Sequence, residues 1–221
     1  MRPTRVVEVD TPQGTARATV HRPPRAVGTV VLGHGAGGQG WSGDLVAVTE
    51  ALVADGWAVV LVDQPWRVAG KKVATPPPTL DAAWVPVVEA LLSGRGALPK
   101  PLVVGGRSAG ARVACRTAER VGADAVLCLS FPLHPPGRPE SSRAEELLTP
   151  IRAGLPVRVV QGERDPFGTP DEVRAAVRAR VPDAASVSSA HVSSAPGTHS
   201  FGKAPAGVVE AVRGFVGALR H

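Results

Sequence analysis

Apolar residues fall along this chain in short, nearly unbroken blocks, separated by longer stretches in which they recur every three or four positions. The blocks are Val27 to Leu32, Trp57 to Val62, Leu102 to Val104, Ala125 to Leu129 and Val157 to Val160. Runs of this length without polar alternation are how strands buried on both faces read. Between them, Leu45, Val48 and Leu52 lie at helical spacing before Gly56, and Leu80, Trp84, Val88 and Leu91 do so after Thr79. Each set makes an apolar stripe able to cover one face of a sheet. Ala109 to Val121 reads as a further helix closed by Gly122. Thr169-Pro170-Asp171-Glu172 is a capping box with proline at the first helical position, opening a helix through Val173 and Val177. Val208, Val212, Phe215 and Leu219 form the stripe of a last helix after Pro205.

The start of the chain reads differently. Val6 to Val9 and Ala16 to Val20 flank Thr11-Pro12-Gln13-Gly14-Thr15, a turn signal that predicts an antiparallel hairpin. Near the other end, Ser186 to Ser194 is polar; a short strand close to the sheet edge is placed there. Strands alternating with sheet-covering helices predict an α/β fold: a mostly parallel twisted sheet with right-handed crossovers and helices on both faces. At 221 residues, with no internal repeat and no long linker, the pattern fits one domain over 1–221.

Composition narrows the function classes. The net charge is +6, but the 25 basic residues are scattered without a long block. Aromatic content of 4% leaves few platforms for stacked bases, so nucleic acid is not the expected partner. No segment approaches a membrane-spanning length, and Met1 to Asp10 has no apolar core of a signal peptide, so a soluble cytoplasmic protein is expected. Cys115 falls within a predicted helix and Cys128 within an apolar block. Both read as small core residues in a reducing compartment, neither a disulfide pair nor metal ligands. No oligomeric state is implied.

Four peptides carry chemistry. Gly106-Arg107-Ser108-Ala109-Gly110 sits where a buried strand meets a helix, the context of a nucleophile elbow. A serine hydroxyl stays protonated at neutral pH and needs an imidazole to take its proton during attack. Asp165 follows the strand ending near Val160 and can hold that imidazole in the working tautomer; Glu163 is its neighbour and rival. Of six histidines, His199 lies before the last helix and completes the order Ser, Asp, His. His134, in another loop leaving a strand, is the rival base and is assigned to the site wall. His34-Gly35-Ala36-Gly37-Gly38 follows a strand and is small enough for backbone N–H groups to approach a substrate oxygen. The oxyanion donors are assigned to Ala36 and Ala109. Its glycine spacing matches neither the dinucleotide fingerprint nor the Walker loop. Substrate contacts are expected from His34, Gly35, Gly37, Trp66, Arg107, His134 and Phe201; Trp66 fits an acyl wall and a core plug equally.

Five segments in order, Gly33 to Gly38, Pro65 to Gly70, Gly105 to Arg112, Phe131 to Gly137 and Gln161 to Gly168, resemble a compact dienelactone-hydrolase-like branch of the α/β-hydrolases. That branch includes relatives of a chromatin-complex subunit and of a testis-expressed protein. Ser108 stands where true dienelactone hydrolases carry cysteine, which points toward esters. The resemblance implies an α/β-hydrolase fold, and the short stretch from Phe131 to Pro156 leaves no room for a cap domain, so the site is expected to be open and shallow. The expected activity is cofactor-independent hydrolysis of a small carboxylic ester or thioester. The alternative is an interaction protein that keeps the fold and has lost turnover, its contact surface the basic loop Arg67 to Lys72, a charge cluster whose other readings are a solvated face, the commoner one, and a recognition patch for anionic acyl substrates.

Overall fold

The computed structural model describes residues 5–37, 40–180, 192–202 and 206–219. Its centre is the pair of buried strands β3 (Thr29–Gly33) and β5 (Leu102–Arg107), which run parallel. From there the sheet grows in both directions. On one side β3 pairs with parallel β4 (Ala58–Asp63), which pairs with antiparallel β2 (Gly14–His21) and then β1 (Arg5–Thr11). On the other side β5 pairs with β6 (Ala125–Leu129), then β7 (Val157–Gly162) and β8 (Val192–Ala195), all parallel. The eight strands therefore lie in the order β1-β2-β4-β3-β5-β6-β7-β8. The chain changes its direction of growth beside β3, and in open α/β sheets such a switch point opens a crevice at the carboxyl ends of the strands.

Alternate residues of each central strand face opposite cores. Val30 and Leu32 of β3 join Val59 and Leu61 of β4 against Leu45, Val48 and Leu52 of α1 (Gly43–Ala54) and Val208 and Val212 of α7 (Ala206–Gly217). Val31, Val60 and Val104 point the other way. They pack with Trp84 and Val88 of α3 (Pro77–Leu92), Val113 of α4 (Ala109–Thr117), Leu147 of α5 (Ala144–Arg152) and Val173 of α6 (Pro170–Arg178). The four-residue α2 (Pro65–Val68) follows β4. The capping box of α6 forms as its sequence predicts, with the Thr169 hydroxyl accepting from the Glu172 N–H and Glu172 accepting from the Thr169 N–H. Cys115 and Cys128 are buried and free, their Sγ atoms 3.4 Å apart; burial pushes the Cys115 thiol well up.

Three local expectations shift. The last strand is Val192–Ala195, pairing with β7 from Val159↔Val192 to Gly162↔Ala195, and Ser186 to His191 lie outside the described residues. Val192 and Ala195 are its buried positions. Helix α4 ends at Thr117, with tight turns carrying the chain to Gly122, where φ is +63°. Leu219 lies beyond α7 and packs half-buried against the same cluster. Helix α5, which the apolar spacing did not announce, occupies the segment between β6 and β7. No helix among the described residues is long and apolar enough to cross a membrane.

One close approach sets the geometry of the sheet's active edge. Side chains built on Gly106 and Gly110 would both collide with the backbone of Gly33, at the end of β3. Because the obstacle is backbone, no rotamer change relieves it. Gly110→Ala is therefore expected to lower stability by about 1–3 kcal/mol or more. Gly214→Ala, inside α7 with nothing within 4 Å of the new methyl, is expected to raise it by about 0.5–1 kcal/mol. Urea midpoints of the two variants check both signs.

Candidate active site

Strand β5 delivers the chain to Ser108 in a conformation that L-residues seldom adopt, φ +53° and ψ −110°, and α4 begins at the next residue. Such backbone costs about 1–3 kcal/mol and persists only where its surroundings fix it. Here the Ser108 N–H donates to the Leu129 carbonyl, and α4 is pressed onto Gly33. The hydroxyl is thereby held at the carboxyl edge of the sheet. Its Oγ lies 2.9 Å from Nε2 of His199, to which it is placed to donate.

His199 belongs to the loop between β8 and α7. Nδ1 lies 2.9 Å from Oδ2 and 3.1 Å from Oδ1 of Asp165, so an Nδ1–H donates to the carboxylate and Nε2 is left to accept. The loop is drawn in by Gly162, where a side chain would strike the Thr198 carbonyl, and by the Glu163 and Arg164 N–H groups, which donate to Ala195 and Gly197. Arg107 donates from Nη2 to the His199 carbonyl, and its Nε lies 3.2 Å from the buried Asp44 carboxylate of α1. The Phe167 ring lies on the imidazole at 4.2 Å between centroids.

Asp165 is 2% exposed, and a buried carboxylate must have its lone pairs filled. Gln161 Nε2 donates to Oδ2 at 2.9 Å and the Phe167 N–H to Oδ1 at 2.9 Å. The same Gln161 amide reaches the Phe131 and Gly168 carbonyls, so it anchors the whole acid loop to the sheet. The rival Glu163 points to solvent.

The loop after β3 is pinned from behind. His34 is buried against the edges of Trp41 and Trp66, donates from Nδ1 to the Gly35 carbonyl at 2.7 Å, and accepts at Nε2 from the Gln64 N–H at 3.2 Å. Desolvation, with the Arg67 charge adding to it against the Gly35 hydrogen bond, takes its pKa down to about 4, so the imidazole is neutral. Arg67 is buried too. It pairs with Asp63 at 3.1 Å, donates to the Gly40 carbonyl and lies 4.9 Å over the Trp41 ring.

A cavity of about 370 Å³ opens beside Ser108. Of the residues expected from sequence, Gly35, Ala36, Gly37, Arg107, Ser108, Ala109 and His199 line it, and Asp165 stands behind the imidazole. His34, Trp66, His134 and Phe201 do not. His34 has both ring nitrogens committed to the loop, Trp66 and Phe201 are buried in the two cores, and His134 is buried with Nδ1 on the Pro135 carbonyl and Nε2 3.7 Å from Glu172. Arg112, Pro132, Arg143 and Phe167 complete the lining. Arg112 is one helical turn after Ser108 and Phe167 two residues after Asp165, spacings legible in the sequence. Arg143 has no such local signal.

Residues 26–206 match the model of the alpha/beta hydrolase domain family. No curated protein sequence matches the chain. Among solved structures it is similar to an alpha-beta serine hydrolase homologue from Coxiella burnetii, with TM-score 0.75, 16% identity and 97% of this chain covering 98% of that one. It is also similar to a serine hydrolase without lid from Xanthomonas campestris, with TM-score 0.67, 19% identity and coverage of 98% and 95%. A third is Est1E from Butyrivibrio proteoclasticus, with TM-score 0.71, 17% identity and coverage of 97% and 98%. At these identities the likeness concerns the fold.

The state of His34 predicts a pH dependence. Its pKa is about 4 in the fold against 6.5 as the ordinary value, so the unfolded chain binds the proton more readily. The contribution is complete above pH 6.5 and is lost as pH falls toward 4, amounting to about 3 kcal/mol. Denaturant midpoints between pH 7.5 and 5 should fall more steeply for the wild type than for His34→Gln; parallel slopes would contradict it.

Proposed function

The chain belongs to the alpha/beta hydrolase domain family, and we propose that it is a serine hydrolase that cleaves a carboxylic ester or thioester through an acyl-enzyme at Ser108. The observation that carries this reading is the unbroken relay from Ser108 Oγ through His199 to Asp165, each link 2.9 Å. A buried carboxylate on Nδ1 fixes the tautomer in which Nε2 can accept, which is the requirement for general-base help to a hydroxyl.

In the proposed cycle Ser108 Oγ attacks the substrate carbonyl while its proton passes to His199 Nε2. The carbonyl oxygen becomes an oxyanion, for which the Ala36 and Ala109 N–H groups are the assigned donors. Ala109 is the first residue of α4, so its N–H has no partner within the helix. Each such donor is worth about 3–4 kcal/mol in the transition state. Collapse breaks the bond to the leaving oxygen or sulfur, which takes the Nε2 proton. Water then gives a proton to Nε2 and its oxygen to the acyl carbon, and the Ser108 bond breaks with the proton returned to Oγ. Water is the only co-substrate this needs.

Gly35, Gly37, Arg107 and Phe167 border the acyl and leaving-group space in this reading. The placement beside dienelactone-hydrolase-like proteins rests on the five sequence segments, with serine at the nucleophile position favouring esters. Two free buried thiols favour a reducing, cytoplasmic setting, and the single sheet with a core on each face favours one domain over 1–221. The alternative of an interaction protein drew on a basic loop, and its first cation, Arg67, is a buried brace of the neighbouring loop.

Hydrolysis of p-nitrophenyl acetate tests the reading. Ser108→Ala should abolish turnover, and Asp165→Asn should lower kcat by about 10,000-fold while leaving the far-UV circular dichroism unchanged. A Ser108→Ala enzyme as active as wild type would overturn it.

A further inference from the structure

Among the described residues, the wall of the cavity beside Ser108 carries three guanidinium groups, those of Arg107, Arg112 and Arg143, and no carboxylate. Two of the three are already neutralised. Arg107 lies against Asp44, and Arg112 makes a two-pronged contact with Glu146 at 2.7 and 2.5 Å. Glu146 is shared with Arg116, which is also paired with Asp81. Arg143 differs: among the described residues it has no carboxylate within 4 Å, and its contact is from Nη1 to the Pro132 carbonyl at 3.2 Å. Partial burial and the charge of Arg112, with a smaller push from Arg138, take its guanidinium pKa down against the opposing pull of Glu146, whose carboxylate is engaged by Arg112 and Arg116.

Arg143 is also held in place. Its N–H donates to the Leu133 carbonyl at 2.7 Å, and it stands at the N-terminus of α5, which Glu146 ties to α4 and so to the helix that begins at the nucleophile. With Nη1 on Pro132, the remaining edge of the planar fork is the one left for a ligand. That edge matches the two oxygens of a carboxylate, and a single unmatched positive charge matches a single negative one.

Resting on the serine-hydrolase reading, we propose that Arg143 is a specificity-determining residue that binds a carboxylate on the substrate, so that the enzyme's substrates are small esters carrying one negative charge beside the scissile bond. A cavity of about 370 Å³ is of a size to hold a short acyl group and such a charge together.

The test compares esters that differ only in charge. Monoethyl succinate carries the anion on the acyl side and ethyl 4-methylpentanoate is its neutral isostere; butyrylglycolate carries it on the alcohol side, with isobutyl butyrate as isostere. For one of the two pairs, wild type should favour the anion in kcat/KM by about tenfold to a hundredfold, the range of a charged hydrogen bond. The preference should shrink as salt is raised. Arg143→Gln should bring the ratio close to one and Arg143→Lys should keep part of it; being a ratio, it does not depend on how much of a variant folds. A wild type that hydrolyses the esters without preference, or an Arg143→Gln preference equal to wild type, overturns the Arg143 assignment and leaves the hydrolase reading standing. If the wild type reacts with a fluorophosphonate but turns over none of the esters, protection of Ser108 by monoethyl succinate or butyrylglycolate decides. Protection lost in Arg143→Gln supports the proposal, and no protection in wild type overturns it. A wild type with neither turnover nor labelling overturns both.

Discussion

The close contact between the backbone at the end of β3 and the backbone of the β5–α4 turn is the constraint from which the rest of the site follows. Glycine at 106 and 110 lets α4 sit on Gly33, and that seating, with the Ser108 N–H bond to the Leu129 carbonyl, holds Ser108 in its costly conformation at the sheet edge. Were α4 to stand farther off, the hydroxyl would move away from the imidazole that reaches it from the other side of β5. The same contact places Ala109, with its free helix-start N–H, beside the loop that carries Ala36.

Everything opposite Ser108 is held by buried polar groups. Gln161 of β7 ties the Asp165 carboxylate to the Phe131 and Gly168 carbonyls, and Arg107 spans from α1 to the His199 carbonyl. Each of these groups is costly to bury alone and inexpensive when paired, so the network specifies one arrangement of the loops. The loop at His34 obeys the same rule: a neutral imidazole accepts from one loop and donates to its own, and Arg67 closes the far end. Arg143 is the exception in this network, a cation fixed by its backbone and with no carboxylate within 4 Å among the described residues.

Much of the fold was legible in the sequence because buried parallel strands leave unbroken apolar blocks and their covering helices leave stripes. Leu45, Val48 and Leu52, or Trp84 and Val88, can be read without tertiary information. The elements that escaped are those whose partners lie far away in sequence. Helix α5 is held by Glu146 to Arg112 and Arg116 of α4, a pairing that no local pattern encodes. The edge strand is defined by β7 and not by its own serines. At the site, motif spacing pointed to the three residues that the relay joins, since each closes a strand-to-loop transition. It did not separate residues that line the cavity from those that support the lining. His34, Trp66, His134 and Phe201 lie near the right loops, but their rings are taken up by hydrogen bonds or by the cores. Arg143 went unnoticed because its importance is a matter of charge balance in three dimensions.

The central claim is that Ser108 is made nucleophilic by His199. Reaction with a fluorophosphonate followed by peptide mass mapping tests it most directly, because the probe records which hydroxyl attacks. The account predicts a single adduct on the peptide containing Ser108, formed at a rate that collapses in His199→Ala. An adduct on another residue, or one on Ser108 that forms equally fast without the imidazole, would contradict it.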